Sequence, residues 1–114
     1  MRIEVFYIAG CPNAQPTVER VAGVLKDLGI TAEIVQLPVS DPASASAIRF
    51  LGSPTIHVNG VDAEPSARTF NQFGLMCRTY LEGPRSEGVP STGLIRQALL
   101  EALSPREPKM GETR

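Results

Sequence analysis

The first 37 residues limit the fold more than any other part of the chain. Residues 2–8, RIEVFYI, place Ile3, Val5 and Tyr7 on one side of an extended backbone, with Phe6 and Ile8 on the other. A strand that is apolar on both sides must be covered on both sides, which reads as a central strand. From residue 13 to 28 the period changes. Val18, Val21, Leu25 and Leu28 recur at steps of three and four, with Glu19, Arg20, Lys26 and Asp27 between them, and this predicts an amphipathic helix. Pro16 is tolerated only in its first turn, which sets the start near Asn13. Gly29 followed by Ile30 supplies a left-handed stop with its apolar contact, and Gly23 weakens the helix without breaking it. A second strand is expected at residues 32–37. Strand, helix and strand joined in this way imply a right-handed crossover and a parallel pair.

The later elements follow the same logic. Residues 41–50, DPASASAIRF, offer Asp41 as an N-cap and Pro42 at the first helical position, which predicts a short second helix. TIHV at 55–58 reads as a third strand, and Asn59-Gly60 after it is a tight-turn signal. Residues 61–72 are too polar to assign. Residues 75–81 read as a fourth strand, pairing antiparallel with the third. The loop GPRSEGVP then leads to Ser91 as an N-cap, and Leu94, Ile95, Ala98, Leu99, Ala102 and Leu103 form the apolar stripe of a last helix. The expected fold class is α/β, in the order β-α-β-α-β-β-α, with a four-stranded mixed sheet and helices on both faces. Residues 1–103 form the expected domain. The tail at 104–114, SPREPKMGETR, has almost nothing to bury and is expected to be disordered.

A chain of 114 residues fits one domain. Its 11 Lys and Arg against 12 Asp and Glu give a net charge of -1 without blocks, so no basic stripe invites nucleic acid or an anionic membrane. No apolar stretch approaches the roughly 20 residues of a membrane span. Met1-Arg2-Ile3 runs into the strand pattern rather than a signal peptide, and the expected location is cytoplasmic. Two cysteines do not make a disulfide scaffold; in a reducing compartment they are thiols, ligands or redox groups.

Cys11, in YIAGCPNAQPTVERV, stands directly after a strand and directly before a helix. Unpaired backbone N–H groups and the positive end of the helix dipole both favour a thiolate there. Ala14 occupies the place where a C-x-x-C motif carries its second cysteine, so the local turn cannot complete a dithiol cycle. Cys77, in MCRTY after Leu75 and Met76, is read first as a buried structural cysteine and second as a resolving thiol. Arg78 falls on the opposite face from Cys77. In the middle of a covered strand it needs either an exit to water or an anionic partner, with Glu4 and Glu33 as candidates within the chain. His57 is the only histidine and is read as structural or surface; no Cys/His cluster has zinc spacing, and no metal or cofactor is implied.

In this order of elements, GCPNA after the first strand and GSPT opening the third resemble the thioredoxin-fold superfamily over residues 1–103. GCPN, GSPT, NGVDAE, CRTY and GVPSTGLIRQAL together resemble a group of small bacterial thioredoxin-like proteins, here without the second cysteine of the C-x-x-C motif. The resemblance implies that Cys11 is the nucleophile and that Pro54 is in cis and lies against it. It further implies that Ser53, Pro54 and Asn13 bind substrate, with the Ser53 backbone left free to hold an extended peptide or a thiol ligand. The implied activity is that of a thiol-disulfide oxidoreductase, resolved by a thiol-containing protein or a glutathione-like small molecule. Two other readings stand beside it. One is a module that binds a soft metal through Cys11 and Cys77, or a thiol ligand, without turnover; the other is an interaction scaffold with no thiol chemistry.

Overall fold

A computed structural model describes residues 1–82 and 85–103, with the backbone alone for residues 81, 82 and 85–87. The expected tail at 104–114 lies outside the described residues. The elements are β1 (Arg2–Tyr7), α1 (Ala14–Leu28), β2 (Glu33–Pro38), α2 (Pro42–Ala47), β3 (Thr55–Val58), β4 (Val61–Asp62), a 3-10 turn (Pro65–Ala67), β5 (Tyr80–Glu82), β6 (Arg85–Glu87) and α3 (Thr92–Leu103). The protein is α/β, built on a mixed four-stranded sheet in the order β2-β1-β3-β4. β1 and β2 are parallel, with Ile3 opposite Ile34, as the helical crossover requires. β3 runs antiparallel to β1, with Phe6 opposite Thr55.

The fourth strand is not the expected one. Asn59 and Gly60, at φ 52° and 86°, make a two-residue turn with both central residues left-handed, which returns the chain directly along β3. The strand it produces is β4, from the polar stretch that the sequence left unassigned, with His57 opposite Asp62. Both edges of β3 are then occupied, by β1 and by β4. Residues 75–81 cannot join the ladder. They give a single bridge between Cys77 and Ser53, and the start of a separate two-stranded hairpin in which Tyr80 lies opposite Glu87.

Helix ends follow the local signals. Gly29 at φ 68° closes α1, and the Ile30 N–H donates to the Leu25 carbonyl at 3.0 Å, the paired bond of a left-handed stop. Asp41 caps α2, accepting from the Ser44 N–H at 3.1 Å and from its hydroxyl at 2.7 Å. The Ser44 hydroxyl, with its amide, holds the Asp41 carboxyl below the usual carboxylate range. Ser91 Oγ accepts from the Leu94 N–H at 3.0 Å at the start of α3.

The helices cover both faces of the sheet unequally. Ile3, Val5, Ile56 and Val58 meet Val21, Val24 and Leu25 of α1 and Ile95, Ala98 and Leu99 of α3 in one buried apolar core. On the other face Phe6 packs with Val39, Ala45 of α2 and Phe50 in a smaller cluster.

Candidate functional site

β1 ends at Tyr7, and residues 8–11 turn away from the sheet. The Cys11 N–H donates to the Ile8 carbonyl at 3.0 Å, and Gly10 takes φ 85°, the left-handed third position that such a turn requires. The Ala14 N–H then donates to the Cys11 carbonyl at 3.3 Å. Asn13 holds the N-cap position without a side-chain cap bond. Its carbonyl instead accepts the Thr17 hydroxyl at 2.7 Å, while its side-chain amide lies so close to Gly88 that a Cβ there would clash with Nδ2. Asn13 thus links the Cys11 turn to the segment ahead of α3. Cys11 itself is half-buried, with a free thiol.

Ser53 and Pro54 reach the same edge of the sheet from the start of β3. The Ser53–Pro54 peptide bond is cis. Ser53 Oγ accepts the Ile8 N–H at 3.0 Å, so the residue before Pro54 is fastened to the residue from which the Cys11 turn departs. The structure therefore gathers Cys11, Ser53 and Pro54 around Ile8.

The Ser53 backbone is not open, as the sequence reading expected. Its N–H donates to the Met76 carbonyl at 2.8 Å, and its carbonyl accepts from the Arg78 N–H at 3.0 Å. Residues 76–78 of the same chain thus take the place assigned to an extended peptide. Gly52 permits the approach: at φ 124°, a Cβ there would lie 2.9 Å from Arg78 Cβ and 3.1 Å from the Met76 carbonyl oxygen.

Cys77, opposite Ser53 in this bridge, is exposed, which corrects the reading of it as a buried structural cysteine. The buried member of the pair is Arg78, with 6 % of its surface exposed. Its guanidinium donates to both carboxylate oxygens of Asp62 at 2.9 Å, to Glu64 Oε1 at 3.0 Å and to Thr55 Oγ1 at 3.2 Å. It also lies over the ring of Tyr80, with 4.4 Å from Cζ to the centroid, a stacked cation on an aromatic face. Burial by itself would lower the arginine's pKa, but the hydrogen bonds to Asp62 and Glu64 outweigh it and the net shift is upward. Arg78 neither reaches water at an edge nor waits for an external anion; its anions are Asp62 and Glu64. Glu4 and Glu33, the candidates from sequence, pair with Arg2 at 3.2 and 3.4 Å.

Tyr80, fully buried, donates its hydroxyl to the Pro54 carbonyl at 2.6 Å, and burial pushes its pKa up. Tyr80, Asp62, Glu64 and Thr55 were all missed by sequence reasoning. For Asp62 a signal existed: the Asn59-Gly60 turn fixes the register that sets Asp62 opposite His57. His57 is buried between Glu4 and Asp62 across the strands, edge-on to Phe6 at 5.1 Å. Burial lowers its pKa, against a smaller upward pull from Asp62 and Glu4.

A cleft of about 530 Å³ opens on this side of the molecule, lined by Leu51, Glu64, Phe70, Met76, Cys77 and Arg78 among others. Among the described residues no group of three or more His, Cys, Asp or Glu side chains could hold a metal ion, and no helix is long and apolar enough to cross a membrane. Compared with protein-family models, curated proteins and solved structures, the chain matches none.

Proposed function

We propose that the protein is a thioredoxin-like thiol protein that exchanges disulfides at Cys11, with the second thiol supplied from outside the local turn. The observation that carries this reading is the convergence on Ile8. Its carbonyl accepts the Cys11 N–H and its own N–H donates to Ser53 Oγ, with the cis bond to Pro54 next in the chain. The strand order β2-β1-β3-β4 and the helix after Cys11 support the same reading.

Cys11 lies three residues ahead of the first residue of α1, where the positive end of the helix dipole attracts an anion. Its sulfur attacks one sulfur of a disulfide. The S–S bond breaks, one half leaves as a thiolate that takes a proton from water, and Cys11 is left in a mixed disulfide. Ala14 carries no sulfur, so release of the bound half requires another thiol. The substrate class is a thiol-containing protein or a glutathione-like small molecule.

The test treats wild-type protein and Cys11→Ser with glutathione disulfide and reads mixed-disulfide formation by mass spectrometry after acid trapping. Wild type should form the adduct on Cys11. Equal rates of adduct formation in wild type and Cys11→Ser would overturn the reading.

The exposure of Cys77 favours one second reading, a soft-metal module in which Cys11 and Cys77 provide two thiolates without turnover. Titration with mercury(II) or copper(I) decides it, since equal affinity in wild type and Cys11→Ser excludes Cys11 as a ligand.

A further inference from the structure

We infer that Cys77 is the thiol that resolves Cys11, so that the two cysteines, 66 positions apart in the chain, form one intramolecular dithiol. The inference rests on the proposed exchange at Cys11 and names the group that completes it. Three hydrogen-bonded links join the two residues, two through backbone groups alone and one through the Ser53 hydroxyl. Cys77 pairs with Ser53 through two backbone hydrogen bonds of 2.8 and 3.0 Å, Ser53 Oγ accepts the Ile8 N–H at 3.0 Å, and Ile8 accepts the Cys11 N–H at 3.0 Å. Neighbouring strands lie about 4.8 Å apart, so Cys77 stands one strand spacing from Ser53, and Cys11 one turn from Ile8.

The surroundings of Cys77 point the same way. Its neighbours are fixed, Met76 by the bond of its carbonyl to Ser53 and Arg78 by four side-chain bonds to Asp62, Glu64 and Thr55. Cys77 itself is exposed, so its thiol does no packing that a serine could not do. The stretch between the 3-10 turn and β5 has no regular structure beyond the bridge at Cys77, and it is further tied by the Gly74 N–H bond to the Phe50 carbonyl, between α2 and β3, at 3.2 Å. To reach the Cα separation of about 4.4–6.8 Å that a disulfide needs, residues 76–78 must release their two bonds to Ser53, a local opening that the irregular stretch before them permits.

The Cys11 thiolate attacks a disulfide R–S–S–R and one R–S⁻ leaves. The Cys77 thiolate attacks Cys11 Sγ, the mixed disulfide breaks, the second R–S⁻ leaves and the Cys11–Cys77 bond forms. Two electrons pass from the protein to the substrate, and the two thiol protons end on the two R–S⁻ groups. Two equivalents of a small-molecule thiol return the protein to its dithiol state by the reverse steps.

The experiment treats dilute full-length wild type, Cys77→Ser and Cys11→Ser with glutathione disulfide and follows intact masses, free thiols and cross-linked peptides. Wild type should lose both thiols and carry no glutathione, with Cys11 and Cys77 peptides linked within one chain. Cys77→Ser should stop at the Cys11 mixed disulfide and accumulate about tenfold more of it than wild type. Equal accumulation of the mixed disulfide in wild type and Cys77→Ser, or a disulfide between two chains in place of the internal one, would overturn the assignment of Cys77 and leave exchange at Cys11 standing. Absence of any Cys11 adduct in Cys77→Ser would remove both.

Discussion

The two faces of the sheet are alternate residues of the same strands, yet they are held by different physics. In β3, Ile56 and Val58 face α1 and α3 in an apolar core, while Thr55 and His57 face the other way. There Thr55 meets Arg78, and His57 lies between Glu4 and Asp62. A helix satisfies its own backbone and so need bring only apolar side chains to a sheet. An irregular segment cannot, and residues 74–80 reach the sheet with hydrogen-bonding groups that need partners there. The apolar face gains from buried area and close packing. The other face has its small apolar cluster around Phe6 and Phe50, and beside it a polar network that holds only when every member is paired.

The largest effect that tests this comparison is Arg78→Met. It leaves Asp62 buried and Glu64 half-buried without their cation and should cost about 3–5 kcal/mol in urea denaturation. It should also release residues 76–78 from Ser53, seen as faster amide exchange at position 78 and faster alkylation of Cys77. Adding Asp62→Leu to Arg78→Met should recover part of the stability, because an unpaired buried charge costs more than an apolar pair; no recovery would break the comparison.

On the other face, Leu99→Ala should cost about 3 kcal/mol by leaving a cavity. It should not alter the alkylation rate of Cys77, and a change as large as that in Arg78→Met would show that the two faces are not independent.

His57 gives a smaller, pH-dependent effect. Its folded pKa lies below the unfolded value of about 6.5, so it contributes nothing to the pH dependence well above 6.5. As the pH falls below that value the unfolded chain takes up the proton first. Stability is then lost by as much as about 1.4 kcal/mol per unit until the folded pKa is passed. His57→Gln should flatten stability between about pH 6.5 and 5, measured by denaturation at a series of pH values.

The smallest effect is that of Cys77→Ser, below about 0.5 kcal/mol because the residue is exposed. A thermal melt lowered as far as that of Leu99→Ala would return Cys77 to the core.

The sequence was most informative where structure is local. β1, α1 with its Gly29 stop, the Asp41 cap and the Ser91 cap could all be read from period and capping residues, because each depends on neighbours within one or two turns. Cys11 stood out for the same reason, between a strand and a helix, whereas Ser53 and Pro54 were singled out by the family resemblance; the structure brings the three near Ile8. The fourth strand was misplaced because polarity stood in for exposure. Asp62 is polar and buried, paired with a distant arginine and with the Glu64 N–H. Cys77 and Arg78 were given the wrong sides by the same rule, since hydropathy buries the thiol and exposes the cation, whereas the network needs the cation inside. The occupation of the Ser53 backbone by residues 76–78 had no sequence signal, because hydrogen bonds between two loop segments leave no period behind.

Gly52 acts as a spacer of zero thickness between residues 76–78 and the sheet. Any side chain there, a single methyl included, would meet Arg78 Cβ at 2.9 Å, closer than real Cβ contacts allow, in a backbone conformation that already strains an L-residue. The gap at the bridge is thus set from a position that bears no reactive atom. Widening it would tilt Cys77 away from Ser53 while both sulfurs stayed in place along the chain, so the reach of one thiol toward the other can be adjusted without changing either cysteine.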